Sequence, residues 1–474
     1  MIGVLVALTG PEETDVVRRL DAPGSGTRVV RRCADVPEVL AAAVAGLGEL
    51  AVLAADLPGV DRPAVMGLRT AGVDCVLVAA PEELERCAAL GATEVVTSAD
   101  ALVDAVLART VRARASGEGP DGLGTDTDTE TGTGGAPGGA QPGGRTVDVT
   151  GARSRCEPDL EPDDAGGAEV RARGRASPAS VDSGPAVSDL RPPGRLVAVW
   201  GPPGAPGRTT VAVSLAAEIA LLGRSALLVD ADTDAPSVTQ TLGLLDDSSA
   251  VAAAARHASH GRLDAPTLRA LCPRVEPGMR VLTGLTRADR WRELPAAALD
   301  VLWEVAREVA DVTVVDLGPG LDEAAGADQA YGPRRHQAAT SALGAADVVV
   351  VVGSGEPVGM RRLVMALGQL TEAGVQPPER VVLVNRLRAS AAGPAPEEAV
   401  QEALARFGGV TDAVIVPDDR PATDRALLQG RTLAEVAPTS AARLALEQLA
   451  RRLAGESRPR PRARFGLLRM ARSR

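Results

Sequence analysis

The chain of 474 residues contains no lysine; all 51 of its basic residues are arginine. Together with 51 glycines, 35 prolines and abundant alanine, this is the mark of codon usage in a GC-rich genome, so the absence carries little functional weight by itself. Aromatic residues are also scarce, at 1% against 45% hydrophobic residues overall. Cores must therefore be built from Ala, Val and Leu, and a platform for stacking nucleic-acid bases is excluded. The formal net charge of −11 argues against general nucleic-acid binding, which normally relies on a basic field. The five cysteines (Cys33, Cys75, Cys87, Cys156 and Cys272) form no CxxC pair and no metal-ligand spacing, a pattern of a reducing cytoplasm. The three histidines form no helical ligand motif. No apolar run reaches the eighteen or so residues of a membrane span, and MIGVLVALTG reads as a first strand, not a signal peptide.

What is present is an alternation of short apolar runs with helical patterns. In residues 1–111 five such βα units follow one another, from IGVLVAL and PEETDVVRRL to TEVVT and ADALVDAVLA, which predicts a doubly wound parallel sheet. Residues 112–194 are rich in Gly, Thr, Asp and Pro and poor in large apolar side chains, so they read as a disordered linker. Alternation resumes over 195–455 as a second α/β domain, and 456–474 form a tail with seven arginines and one acid.

The chemistry-bearing stretch is GPPGAPGRTT, residues 201–210, between the strand run RLVAVW and the helical run VAVSLAAEIALL. A glycine-rich loop between a strand and a helix N-terminus is the context of a phosphate loop. Free N–H groups and the helix dipole favour an anion there. Gly204 and Gly207 would admit phosphate close to the backbone, Arg208 would contact it, and Thr209 has the position of a Mg²⁺-ligating hydroxyl, followed by Thr210. Against this, Pro202, Pro203 and Pro206 lack an N–H, and arginine is not interchangeable with the usual lysine. Asp230 and Asp232 end the next apolar strand and Asp316 ends a later one, the positions from which carboxylates hold magnesium or its waters.

These motifs, with ADVVVVVGSGEPVGMRRL, VVLVNRLR and VIVPDDRPATDRALLQGRTLAEVAP in that order, resemble the MinD/ParA superfamily of P-loop ATPases, above all its CpaE/TadZ branch of pilus-assembly and polar-localisation proteins. The resemblance covers about 195–455. It implies ATP and Mg²⁺ as cofactors and a homodimer around sandwiched nucleotide. It also implies roles for individual residues. Asp232 would orient the attacking water and, with Arg208, serve catalysis. Thr209, Asp230 and Asp316 would serve the metal, with Asp316 as the Walker B carboxylate. Asn385, Pro417 and Asp418 would line the adenine pocket. The family's first signature lysine falls on Pro203 and the second on Arg208, so hydrolysis is expected to be weak. Arg334 and Arg335 read first as a solvated basic loop and second as substitutes for them.

The first domain resembles a degenerate receiver. The expected phosphorylated aspartate falls on Ala54, the acidic pair on Ala7 and Leu8, and the fifth strand lacks its lysine; Asp56 reads as a loop cap. The expectation is a cytoplasmic ATPase that positions a pilus or secretion assembly, with its Arg-rich tail as a contact to the anionic inner face of the membrane. Two other readings stay open: a nucleotide-binding scaffold without turnover, and a ParA-type chromosome-partitioning ATPase that binds DNA.

Overall fold

Valine- and leucine-rich runs form the strands, because β-branched and apolar side chains suit a sheet covered on both faces. The computed structural model describes residues 1–10, 12–115, 192–204, 207–245, 248–276, 278–322 and 333–455. Most of the stretch read as a linker, and the whole tail, lie outside the described residues.

Strands β1 (Ile2–Ala7), β2 (Thr27–Arg32), β3 (Leu50–Ala54), β4 (Asp74–Val78) and β5 (Glu94–Val96) form one parallel sheet in the order β2-β1-β3-β4-β5. This is a doubly wound order, as the five βα units predict. Side chains of successive strand residues point to opposite faces, so Leu5 and Ala7 enter one apolar layer and Val4 and Val6 the other. Asp35 and Asp61 cap the helices that follow, each accepting an N–H three residues on. The last helix of this part, Ala99–Ala115, runs past Val111 into the stretch assigned to the linker.

The second sheet holds β6 (Arg195–Trp200), β7 (Ala226–Ala231), β8 (Arg274–Glu276), β9 (Met279–Leu282), β10 (Val312–Leu317), β11 (Val348–Ser354), β12 (Glu379–Leu387) and β13 (Val414–Pro417), in the order β13-β12-β11-β6-β10-β7-β9-β8. All its pairings are parallel except that of β8 with β9. Leu196, Ala198 and Trp200 face one layer and Val197 and Val199 the other. The first layer interleaves leucines and valines with many alanines, among them Ala250, Ala254, Ala255 and Ala258 of helix Ala250–Ser259. Helices Arg208–Leu221 and Ala441–Leu453 cover the second layer. They are joined by a two-pronged ion pair in which Arg443 Nε and Nη2 donate to the buried Glu218 carboxylate at 2.6 and 2.7 Å. Removing one partner of such a buried pair costs about 3–5 kcal/mol, so the helix behind the loop is firmly seated. Gly223, with φ of 81°, ends it as the sequence pattern indicates.

The order places β6 between β10 and β11. The chain leaves β6 for β7 on one side and later returns through β10 to β11 on the other. In an open α/β sheet, ligands bind outside the carboxyl ends of strands at such a switch point, and the loop 201–207 leaves β6 there.

Candidate functional site: the loop after β6

The helix that follows the loop starts at Arg208 with no side-chain cap, so its first N–H groups keep no side-chain partner. Gly207 precedes it with φ of 93°, in the left-handed region, and a Cβ there would lie 2.4 Å from Asn385 Nδ2. Glycine is therefore favoured by conformation, and a larger residue would also have to displace the Asn385 amide. Pro206 lies outside the described residues.

Arg208 is half-buried and folded back. Its Nε donates to the carbonyl of Leu317 at 3.0 Å, and its Nη1 donates to the carbonyls of Pro202 and Gly201 at 3.3 and 3.4 Å. Its Nη2 stands 3.7 Å from Asp232 Oδ2. A forked guanidinium can span several acceptors in this way, which the point charge of a lysine cannot.

Strand register brings the carboxylates together. Asp316 of β10 lies level with Asp230 of β7 and with Val199 of β6. Asp316 is fully buried, and neither of its oxygens stands in full hydrogen-bond geometry; the Thr209 hydroxyl beside it is close enough to offset its burial in part. The neighbouring Thr209 hydroxyl is turned to Ser237 Oγ at 3.1 Å. Burial, then the facing Asp230 charge, hold the Asp316 carboxyl well above the usual carboxylate range; Thr209 and Arg208 oppose this only in part. Burial also pushes Asp230 up, to about 7. Asp230 differs in being supplied with donors: the N–H groups of Asp232, Ser237 and Val238 at 3.2, 3.0 and 3.1 Å. It therefore shapes the turn after β7. Asp232 Oδ1 accepts the N–H groups of Asp234 and Ala235 at 2.8 and 2.9 Å, which leaves Oδ2 facing Arg208.

On the other side of the helix start, Gly207, Thr210, Asn385, Pro417 and Asp418 line one cavity of about 20 Å³. That is room for about one water molecule, so a base enters only if the walls move. The β12 ladder shifts register between Val384 and Leu387, and Arg386 carries a φ of 55° there, the only positive value outside glycine among the described residues. Backbone held in this sparsely populated region is characteristic of ligand sites.

Arg335 donates to Thr233 Oγ1 at 2.9 Å and pairs with Asp234, so it braces the turn after Asp232. Asp230 is engaged by backbone donors, whereas none reaches Asp316. Ser237, which meets the Thr209 hydroxyl, is absent from the sequence-derived set; only its place in the stretch after Asp232 could have pointed to it. Asp56 of the first sheet accepts the Thr9 hydroxyl at 2.8 Å. Cys75 and Cys272 are buried thiols pushed up to about 12 by burial, and so inert. No helix among the described residues is long and apolar enough to cross a membrane.

No family model and no curated protein matches the chain. Similar solved structures include the cell division ATPase MinD of Pyrococcus furiosus, with 19% identity over 56% of this chain and 100% of that one at a TM-score of 0.44. A ParA family ATPase from Chlorobium tepidum has 18% identity over 54% and 98% at a TM-score of 0.47. The ATP complex of a Cyanothece McdA variant has 15% over 56% and 98% at 0.43. At these values the likeness assigns neither activity nor partner to this chain.

Proposed function

We propose that the loop after β6 binds ATP with Mg²⁺ in the manner of MinD/ParA-type ATPases and hydrolyses it weakly. The observation that carries this is Asp316, a fully buried carboxylate that no backbone N–H reaches and that has only the Thr209 hydroxyl beside it. A buried carboxylate so short of donors is costly, and a cation at this point would satisfy it. Among the described residues no cluster of three or more His, Cys, Asp or Glu forms a metal cage. Mg²⁺ commonly takes one or two protein ligands and completes its shell with waters and phosphate oxygens, so Thr209 and Asp316 fit it, with Asp230 in support. There it would neutralise phosphate charge. The helix N-terminus and Gly204 and Gly207 would cradle the phosphates, Arg208 would turn from its carbonyl partners toward them, and Asp232 would orient the attacking water. Asn385, Pro417 and Asp418 would take the base once their cavity opens.

The sequence resemblance to CpaE/TadZ proteins supports a homodimer that positions a pilus or secretion assembly at the cytoplasmic face of the membrane, with the Arg-rich tail as the anionic-lipid contact. The first sheet would serve as a receiver-like docking module without phosphorylation, since Ala54 stands where the acceptor would be. A scaffold that binds nucleotide without turnover is the second reading; the Arg208 side chain, already supplied with carbonyl partners, favours it.

The test is thermal melting of the full chain with and without ATP–Mg²⁺, followed by ATP turnover alone, with anionic liposomes and with DNA. A raised melting temperature and slow turnover that liposomes accelerate support the proposal. A raised melting temperature without turnover leaves the scaffold, DNA stimulation moves the reading to partitioning, and no shift at millimolar ATP removes the nucleotide.

A further inference from the structure

A second guanidinium reaches the loop. Helix Pro357–Glu372 starts shortly after β11, the strand paired with β6, and Arg362 lies in its second turn. A Cβ on Gly204 would stand 2.3 Å from Arg362 Nη1, so the guanidinium lies directly against the loop backbone. Gly204 has φ of 73° and leaves that space open. Arg362 is exposed and has no hydrogen bond or ion pair among the described residues.

The charge balance of the site calls for such a group. Asp230, Asp232 and Asp316 are all buried at the loop, and Arg208 is the cation that faces them. In this conformation Arg208 gives Nε and Nη1 to the carbonyls of Leu317, Gly201 and Pro202 and faces Asp232 with Nη2. Pro202 and Pro203 offer no N–H where a phosphate loop normally donates. Phosphate arriving here adds negative charge to an acidic site, and a planar guanidinium is suited to bind two phosphate oxygens at once.

We propose that Arg362 is a phosphate-binding residue of this site, closing over the nucleotide from the Gly204 side of the loop. This rests on the nucleotide reading above. It assigns to a helix outside the loop the second positive contact that the proline-rich loop lacks.

The experiment is calorimetric titration of the full chain with ATP–Mg²⁺, for wild type, Arg362→Ala, Arg362→Lys and Arg361→Ala. Arg361 is the adjacent exposed residue of the same helix and serves as the control for the general field. Loss of a charge-assisted contact to phosphate weakens binding about tenfold or more. The expected result is that loss in Arg362→Ala, a smaller loss in Arg362→Lys, near wild-type binding in Arg361→Ala, and unchanged melting of all four proteins without nucleotide. Wild-type affinity in Arg362→Ala, an equal loss in Arg361→Ala, or a lowered melting temperature of Arg362→Ala without nucleotide would each overturn the assignment while nucleotide binding stands. No binding by the wild type would overturn both.

Discussion

Replacing Asp316 by asparagine should stabilise the protein without nucleotide and abolish its response to nucleotide. The side chain sits on β10 between β7 and β6, fully buried and level with Asp230, and no backbone N–H reaches either oxygen. Leaving a buried polar group unpartnered costs about 1–3 kcal/mol. Asparagine keeps the shape and need not take up a proton to be buried beside Asp230 and Asp232, but its amide brings unmet donors of its own, so the net gain is about 1–2 kcal/mol. In a domain of this size each kcal/mol moves the melting temperature by about 2–4 °C, giving an increase of about 2–8 °C. The ligand arm has the opposite sign. A ligand at one hundred times its Kd stabilises the native state by about 2.7 kcal/mol, so ATP–Mg²⁺ should raise wild-type melting by about 5–10 °C and Asp316→Asn by almost nothing. Differential scanning calorimetry of both full-length proteins, with ATP–Mg²⁺ and with EDTA, measures both arms. If the variant melts below wild type without nucleotide, Asp316 has a partner in the folded state and the reasoning fails. If the variant keeps the full nucleotide shift, Asp316 holds no metal.

Asp232→Ala should retain ATP binding and lose turnover, trapping the bound state; rapid-filtration measurement of bound ATP against ADP checks this, and equal turnover in variant and wild type would count against a water-orienting role. Incubation with a small phosphodonor should leave residues 1–111 unmodified, because Ala54 has no nucleophile and Asp56 accepts the Thr9 hydroxyl at 2.8 Å; mass spectrometry showing an acyl phosphate at Asp56 would contradict this. Glu276→Gln should be more stable than wild type at neutral pH and equal to it near pH 4. Burial, then the hydrogen bond and charge of Glu435, raise the Glu276 carboxyl above its ordinary 4.5, outweighing Thr432 and Arg431. An acid with a raised native pKa destabilises the fold only as pH rises above its unfolded value, with the full effect above its native one. Melting curves at the two pH values test the sign, and a variant less stable at neutral pH refutes it.

Much of this site was legible in one dimension. The strand runs, the loop between strand and helix, and the aspartates at strand ends all follow from local chemistry: apolar periodicity and the freedom of Gly204 and Gly207. Those signals depend on neighbours within a few residues, so the chain itself carries them. The short β8–β9 edge was not, because three or four residues give too little periodicity to read. Asp230 takes its donors from the turn that follows it, two to eight residues on, but no local pattern could show that the donor-poor Asp316 lies level with it on the next strand. That juxtaposition arises from register between strands far apart in sequence, set by parallel crossovers. The same holds for the basic residues. Arg208, Arg335 and Arg362 look alike as letters, yet one folds onto carbonyls, one braces the turn after Asp232, and one lies against Gly204. What separates them is which strand ends, helix starts and turns the tertiary structure brings within reach of each guanidinium, a distance in space that the sequence does not encode locally.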